Sequence, residues 1–188
     1  KTITATHKNE FFLPEHRIPE SVATTDKLAE ALEDAAFVVG AMPSQYARAL
    51  YENLAPHLRQ ETMVVSATKG LEQSTLLRMS EVICLVTHGK CSVGALSGPS
   101  FAAEVARGDP TALAIASRDS ALTESVQREF SDGSFRLYRN DDIVGVELGG
   151  SLKNVIAIAA GVCHGLGLGH NSIAALVTRG LAEMTRLV

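Results

Sequence analysis

The sequence predicts an α/β fold: a doubly wound sheet of parallel strands over residues 1–140, followed by an all-helical segment over residues 141–188. Three observations predict it. Up to Tyr138, short apolar runs alternate with helical stretches, the pattern of strand–helix crossovers. At Asn140-Asp141-Asp142 the alternation stops. Beyond it, only helical periodicity remains.

Phe37-Val38-Val39-Gly40-Ala41 is apolar without polar alternation, as expected of a strand buried on both faces. Pro43 ends it, and Ser44 is placed to cap a helix running towards His57. Thr62-Met63-Val64-Val65-Ser66 reads as the next strand, with a helix over residues 75–88. Ser92-Val93-Gly94-Ala95-Leu96-Ser97 is another strand, after which Gly98-Pro99-Ser100 opens a helix through Arg107. A strand over 111–116, a helix over 120–130 and a short strand over 135–138 complete the alternation. Asn140-Asp141 is a natural start for the helix over 143–163, and a last helix covers 173–187. The helix from Ile143 is apolar nearly all round, which predicts the buried central helix of a second domain. No internal repeat or low-complexity segment interrupts the chain.

With 188 residues, 46% hydrophobic and 20% charged, the chain can bury a sizeable core. A net charge of −4 without a basic stripe argues against nucleic acid and anionic membrane surfaces as partners. Lys153 and several glycines interrupt the longest apolar stretch, which argues against a membrane span, and the first residues lack a signal-peptide core. Cys84, Cys91 and Cys163 are odd in number and form no CxxC pair. They predict reduced, mostly buried thiols in a cytoplasmic protein and no metal site. Residue 1 is not Met and the last helix stops at Val188 without a cap, so a fragment of a longer protein is expected.

Chemistry points first to Lys153. It stands in Gly149-Gly150-Ser151-Leu152-Lys153-Asn154-Val155-Ile156-Ala157, a run otherwise apolar or small except for Asn154. An ammonium among hydrocarbon is costly unless paired or used, and desolvation would lower its pKa towards the range where it exchanges protons near neutrality. A structural lysine that extends its head to water fits the run as well. Asn154 follows it, but successive helical residues point about 100° apart, so it need not face the same ligand. Open parallel sheets bind ligands beyond the carboxyl ends of their strands. Met42-Pro43-Ser44-Gln45, Ala67-Thr68-Lys69-Gly70 and Gly98-Pro99-Ser100-Phe101-Ala102 fall at such ends. Lys69 there is either a phosphate- or carbonyl-facing cation or a plain surface lysine. Gly98-Pro99-Ser100 is either an anion-binding helix start or a turn with its cap.

Other patterns carry less. Gly165-Leu166-Gly167-Leu168-Gly169-His170 has His170 where a dinucleotide fingerprint needs its third glycine, so it reads as a corner between two helices. His164 and His170 read as helix-end or loop residues. Phosphate-loop, zinc-helix and nucleophile-elbow motifs do not occur in the chain.

Taken in order, several segments resemble the NAD(P)-dependent glycerol-3-phosphate dehydrogenase family of the bacterial type. Phe12-Leu13-Pro14-Glu15 resembles its Tyr-Leu-Pro-Gly stretch. Lys69-Gly70-Leu71-Glu72 and Ser97-Gly98-Pro99-Ser100-Phe101-Ala102 match two of its motifs. Gly149 to Asn154, continuing through Gly161, Gly165, Gly169, Asn171 and Ala174-Ala175, is similar to the signature around its catalytic lysine. Thr178-Arg179-Gly180-Leu181-Ala182-Glu183-Met184 completes the likeness.

The resemblance implies a Rossmann-like domain, here N-terminally truncated, and the start of an all-α domain, with the active site between them. It implies reversible hydride transfer between sn-glycerol 3-phosphate and NAD or NADP, giving dihydroxyacetone phosphate for glycerophospholipid precursors. By that likeness Lys153 is the proton acceptor, Lys69 contacts substrate and cofactor, Gly98 and Ser100 contact substrate, and Ala102 lies against the cofactor. The Pro43-Ser44-Gln45-Tyr46 corner would line the dinucleotide site. A positive Lys69 nearby would disfavour protonation of Lys153 and stabilise negative charge developing on oxygen. A small-molecule substrate is implied, with a homodimer as the default assembly.

Ser151 replaces the family's usual Ala or Thr, and His164 stands where a carboxylate is common. The glycine fingerprint and the Arg-Asn pair of the family's later segment do not occur, so the 188-residue chain alone is expected to bind cofactor poorly and show no turnover. Two rivals remain at this level: another two-domain hydroxy-acid-type dehydrogenase, and a non-catalytic dinucleotide-binding remnant.

Overall fold

The computed structural model describes residues 2–187. Its first elements were not foreseen: a short helix α1 (Thr2–Thr6), an antiparallel hairpin β1 (Lys8–Asn9) and β2 (Leu13–Arg17), and helix α2 (Leu28–Leu32). The main sheet holds β3 (Phe37–Gly40), β4 (Met63–Ser66), β5 (Ser92–Ser97), β6 (Thr111–Ala116) and β7 (Phe135–Asn140), side by side in that order. Between them run α3 (Ala47–Leu54), α4 (Met79–Val86), α5 (Ala102–Arg107) and α6 (Ser120–Phe130). After β7 come only α7 (Ile143–Gly165) and α8 (His170–Leu187).

The sheet is parallel except at one place. β5 pairs antiparallel with β6, through Ala95–Ala116, Leu96–Ile115 and Ser97–Ala114. Alternation of strand and helix implied parallel pairing throughout. The connection through α5 is a single short helix that reverses the chain beside β5 instead of crossing a sheet face. β6 and β7, joined by the longer α6, are parallel.

Strand alternation sends successive residues to opposite faces. Val64 packs with Tyr51, Leu54, Met79, Val82 and Ile83 under α3 and α4. Val65 packs with Leu113, Ile115, Leu122, Val126 and Leu137 under α6. The start of α7 adds a third patch, in which Ile143 meets Ala95 and Ala116. Both faces are thus covered, as a doubly wound sheet requires. Each fully buried Val, Leu, Ile or Met among them contributes about 1.5–3 kcal/mol of transfer free energy.

Gly40 shows how tightly the first layer is packed. A methyl group there would lie 1.9 Å from Tyr51 Oη. Tyr51 has no exposed surface, and burial pushes its phenol up to about 12. The ring cannot swing aside, so Gly40→Ala should destabilise by about 1–3 kcal/mol through overpacking. A lower urea midpoint at unchanged m-value is the expected reading.

Several local expectations need correction. Ser44 caps no helix: it begins a 3-10 turn (Ser44–Tyr46), and α3 starts at Ala47. The helix expected over 75–88 is shorter, because Leu71 and Arg78 first form an isolated antiparallel bridge. The helix expected to open at Gly98-Pro99-Ser100 begins at Ala102, with Phe101 in the cap position and no side-chain cap bond. Asp142 caps α7, accepting from the Gly145 amide at 2.8 Å. Of the three cysteines only Cys91 is buried; Cys84 is exposed and Cys163 half-buried.

The described residues cover α7 only in its first turns. Only Ile143 and Gly150 are buried, while Val155, Ile158, Val162 and Leu166 are 56–70% exposed. Length limits how much of it the sheet can cover. Twenty-three helical residues reach about 34 Å, whereas a six-residue strand reaches about 20 Å. The first turns lie on β5 and β6, and the rest overruns the sheet with α8 beside it. By length and composition alone α7 could cross a membrane; its first turns instead cover the sheet. α8 returns along α7, where Gly180 faces Ile156 so closely that a methyl group would be 2.5 Å from Ile156 Cδ1. The Gly165–Gly169 segment forms the corner between them, with Gly167 at φ +70°.

Candidate functional site

Where α7 crosses the end of β5, a cleft of about 620 Å³ opens between sheet and helix. Its floor is Ser97, Gly98, Pro99, Ser100 and Phe101; its helical wall is Gly145, Val146, Gly149, Gly150 and Lys153. Lys69 enters from the end of β4. Four of the five residues expected from sequence therefore meet in one place: Lys69, Gly98, Ser100 and Lys153. Ala102 does not line the cleft; it follows Phe101 as the exposed first residue of α5. The Pro43–Tyr46 corner does not line it either.

Two glycines let the walls approach. A methyl group at Gly150 would come within 2.6 Å of Ser97 Oγ, so α7 lies directly on the strand end. At Gly98, φ is +149° and a methyl group would meet Leu113 Cδ2 at 2.6 Å and the Ala112 carbonyl at 3.1 Å. Only glycine turns the chain here without strain.

The Lys69 loop is held by neighbouring corners. Thr68 Oγ1 donates to the Gly40 carbonyl at 3.4 Å, and Ser44 Oγ lies where a Gly70 methyl would be 3.1 Å away. Arg48 binds Glu72 through Nε at 2.7 Å and Nη2 at 2.8 Å, and Thr75 Oγ1 donates to the same carboxylate at 2.5 Å. Arg48, then Thr75, hold the Glu72 carboxyl down to about 2. The fork of two parallel hydrogen bonds gives the loop geometric definition as well as charge pairing.

Lys69 carries a lowered pKa. Withdrawal of its amine from water is the larger cause and the positive charge of Lys153 the second. The residue as a whole remains open to solvent, so the withdrawal is partial. The amine at the end of β4 is thus tuned by its surroundings, which the sequence alone offered no reason to expect of it rather than of a plain surface lysine. Among the described residues Lys153 is exposed, at a point where α7 has passed the sheet edge. Its Nζ donates to Asn154 Oδ1 at 2.7 Å. Asn154 thus reaches the amine although it does not line the cleft, which the helical spacing left unforeseen.

Arg78, Ser80 and Glu147 form a largely buried polar cluster that sequence reasoning missed. Residues 69 positions apart give no local signal. Among the described residues, no cluster of three or more metal-ligating side chains occurs.

The fold and cleft define a class: an α/β sheet unit joined to a long helical hairpin, with a cationic cleft at their junction. Within that class the family is clear. The profile for the NAD-dependent glycerol-3-phosphate dehydrogenase N-terminus matches residues 1–123, and that for its C-terminus matches residues 142–188. The chain belongs to this family. It is 57% identical over 188 residues to a glycerol-3-phosphate dehydrogenase [NAD(P)+] of Koribacter versatilis, covering 99% of this chain and 56% of the relative. It is 51% identical to the enzyme of the same name from Acidobacterium capsulatum, covering 100% of this chain and 57% of the relative. The crystal structure of glycerol-3-phosphate dehydrogenase from Coxiella burnetii superposes with a TM-score of 0.92 at 37% identity, over 100% of this chain and 57% of that one. The chain spans a little over half the length of the relatives it matches.

Proposed function

We propose that the protein to which this chain belongs interconverts sn-glycerol 3-phosphate and dihydroxyacetone phosphate with NAD or NADP. The observation that carries the reading is the convergence of Lys69, Gly98, Ser100 and Lys153 on one cleft at the strand ends. The donor set suits an anionic substrate and cofactor: the two charged residues lining the cleft are lysines, set among small and apolar residues. When bound, the nicotinamide accepts or returns a hydride.

The remaining steps belong to this chain. Lys153, as the neutral amine, takes the proton of the substrate hydroxyl while its hydride leaves, and returns the proton in the reverse direction. Asn154 steadies the Lys153 head through the hydrogen bond to Oδ1. Lys69, when protonated, stabilises negative charge developing on the reacting oxygen. Gly98 and Ser100 form the floor against which substrate is oriented, and Ala102 borders the cofactor from the first turn of α5. On this reading residues 1–140 form the cofactor-binding part and residues 141–188 the beginning of the catalytic helical part. We place the protein in the cytoplasm as a homodimer, without nucleic-acid or membrane partners.

Steady-state assays of the whole protein test the reading. Reduction of NAD or NADP should depend on sn-glycerol 3-phosphate, and dihydroxyacetone phosphate should drive the reverse reaction. Turnover confined to a non-phosphorylated hydroxy acid, or none with either nicotinamide, would overturn it.

A further inference from the structure

Glu147 is a carboxylate on α7 that takes no part in the cleft. Its side chain is only 7% exposed. It accepts hydrogen bonds from Arg78 Nη1 at 2.8 Å, the Ser80 amide at 2.8 Å and Ser80 Oγ at 2.6 Å. All three donors lie at the start of α4. A buried charge is kept in place only where hydrogen bonds satisfy it, and here the geometry is complete.

These donors end the same segment that carries Lys69. Arg78 pairs with Leu71 in the isolated bridge, two residues beyond Lys69. The Arg48–Glu72 fork anchors that segment to α3. Arg78 therefore joins the Lys69 loop to α7. On α7, Lys153 lies six residues after Glu147, about 9 Å along the axis and about 120° around it. Fixing the helix rotation at Glu147 fixes the direction in which Lys153 projects. Gly150, resting on Ser97, leaves no slack between the two points.

We propose that the Arg78–Ser80–Glu147 cluster is a positioning device that holds α7 in the rotation at which Lys153 faces Lys69, with Glu147 as its central residue. Its effect on turnover rests on the dehydrogenase reading above; its effect on the distance between the two amines does not.

In the whole protein, Glu147→Gln places an amide where three donors converge. The variant should fold, by circular dichroism, with kcat reduced about 10- to 100-fold, the scale expected when a reacting group is displaced by about 1 Å. KM should change less than about threefold, since substrate binding is not the interaction removed. A second readout follows the Lys69 amine by NMR titration of labelled lysine. Lys153 is the other charged residue lining the cleft, so its displacement should move the Lys69 titration upward. Should Glu147→Gln fail to fold, Ser80→Ala removes one donor and should give smaller changes in the same directions. A folded variant whose Lys69 titration is unmoved overturns the proposal, even if turnover falls. If the wild type lacks dehydrogenase activity, the functional reading fails, and the Lys69 titration still decides the positioning role.

Discussion

Lys153→Ala should lower kcat of the whole protein by about 100-fold or more, within the 10²–10⁴ range of general acid–base catalysis. That corresponds to at least about 2.7 kcal/mol of transition-state stabilisation. The side chain lies at the cleft and is exposed, so its removal leaves no cavity and should not unfold the protein. Lys153→Arg separates proton transfer from charge. A guanidinium keeps the positive charge and remains protonated, so it cannot act as base. It should be nearly as inactive as the alanine variant. Recovery of most of the activity by arginine would show that Lys153 acts as a fixed cation, and kcat within twofold in the alanine variant would end its assigned role altogether.

The sheet was largely legible in the sequence because its strands are short, apolar and bounded by Gly, Pro or Ser. Phe37–Gly40 and Met63–Ser66 were placed to within a residue. The direction of β6 was not, because alternation gives the order of elements and not the path of a connection as short as α5. The β1–β2 hairpin was missed for a different reason. Its strands are brief and mostly polar, and the turn between them leaves Phe11 and Phe12 85% and 78% open to solvent, so no burial pattern marks them.

The site was legible in composition more than in geometry. Lysines at the end of a strand and on an apolar helix stand out as residue types. The lowered pKa of Lys69 was not visible in that way. Hydropathy reports what a helix could bury; the described residues bury two positions of α7, Ile143 and Gly150, both before Lys153. Lys69 lies where the strand end, the Gly70 turn and the opposing ammonium combine, and none of these is visible in a local window. The Glu147 cluster is farther still from local pattern, since its partners meet only when α7 passes the start of α4.

Lys69→Met should separate activity from stability in opposite directions. The amine is held below its ordinary pKa, first by withdrawal from water and then by Lys153. Between its folded and unfolded pKa values, the unfolded chain binds more protons, so stability rises with pH across that window. Below the folded value the protonated amine carries its full cost. Methionine keeps the length of the side chain and abolishes that cost, so urea unfolding at neutral pH should show equal or greater stability. The rise of stability with pH through the alkaline window should also flatten. Turnover should fall about 10²–10³-fold, the scale for removing one group that stabilises a developing oxyanion. This opposition is what a site residue retained at the expense of stability produces. A lysine that served only as a solvated surface group would give neither change, and one that held the fold together would make the methionine variant less stable.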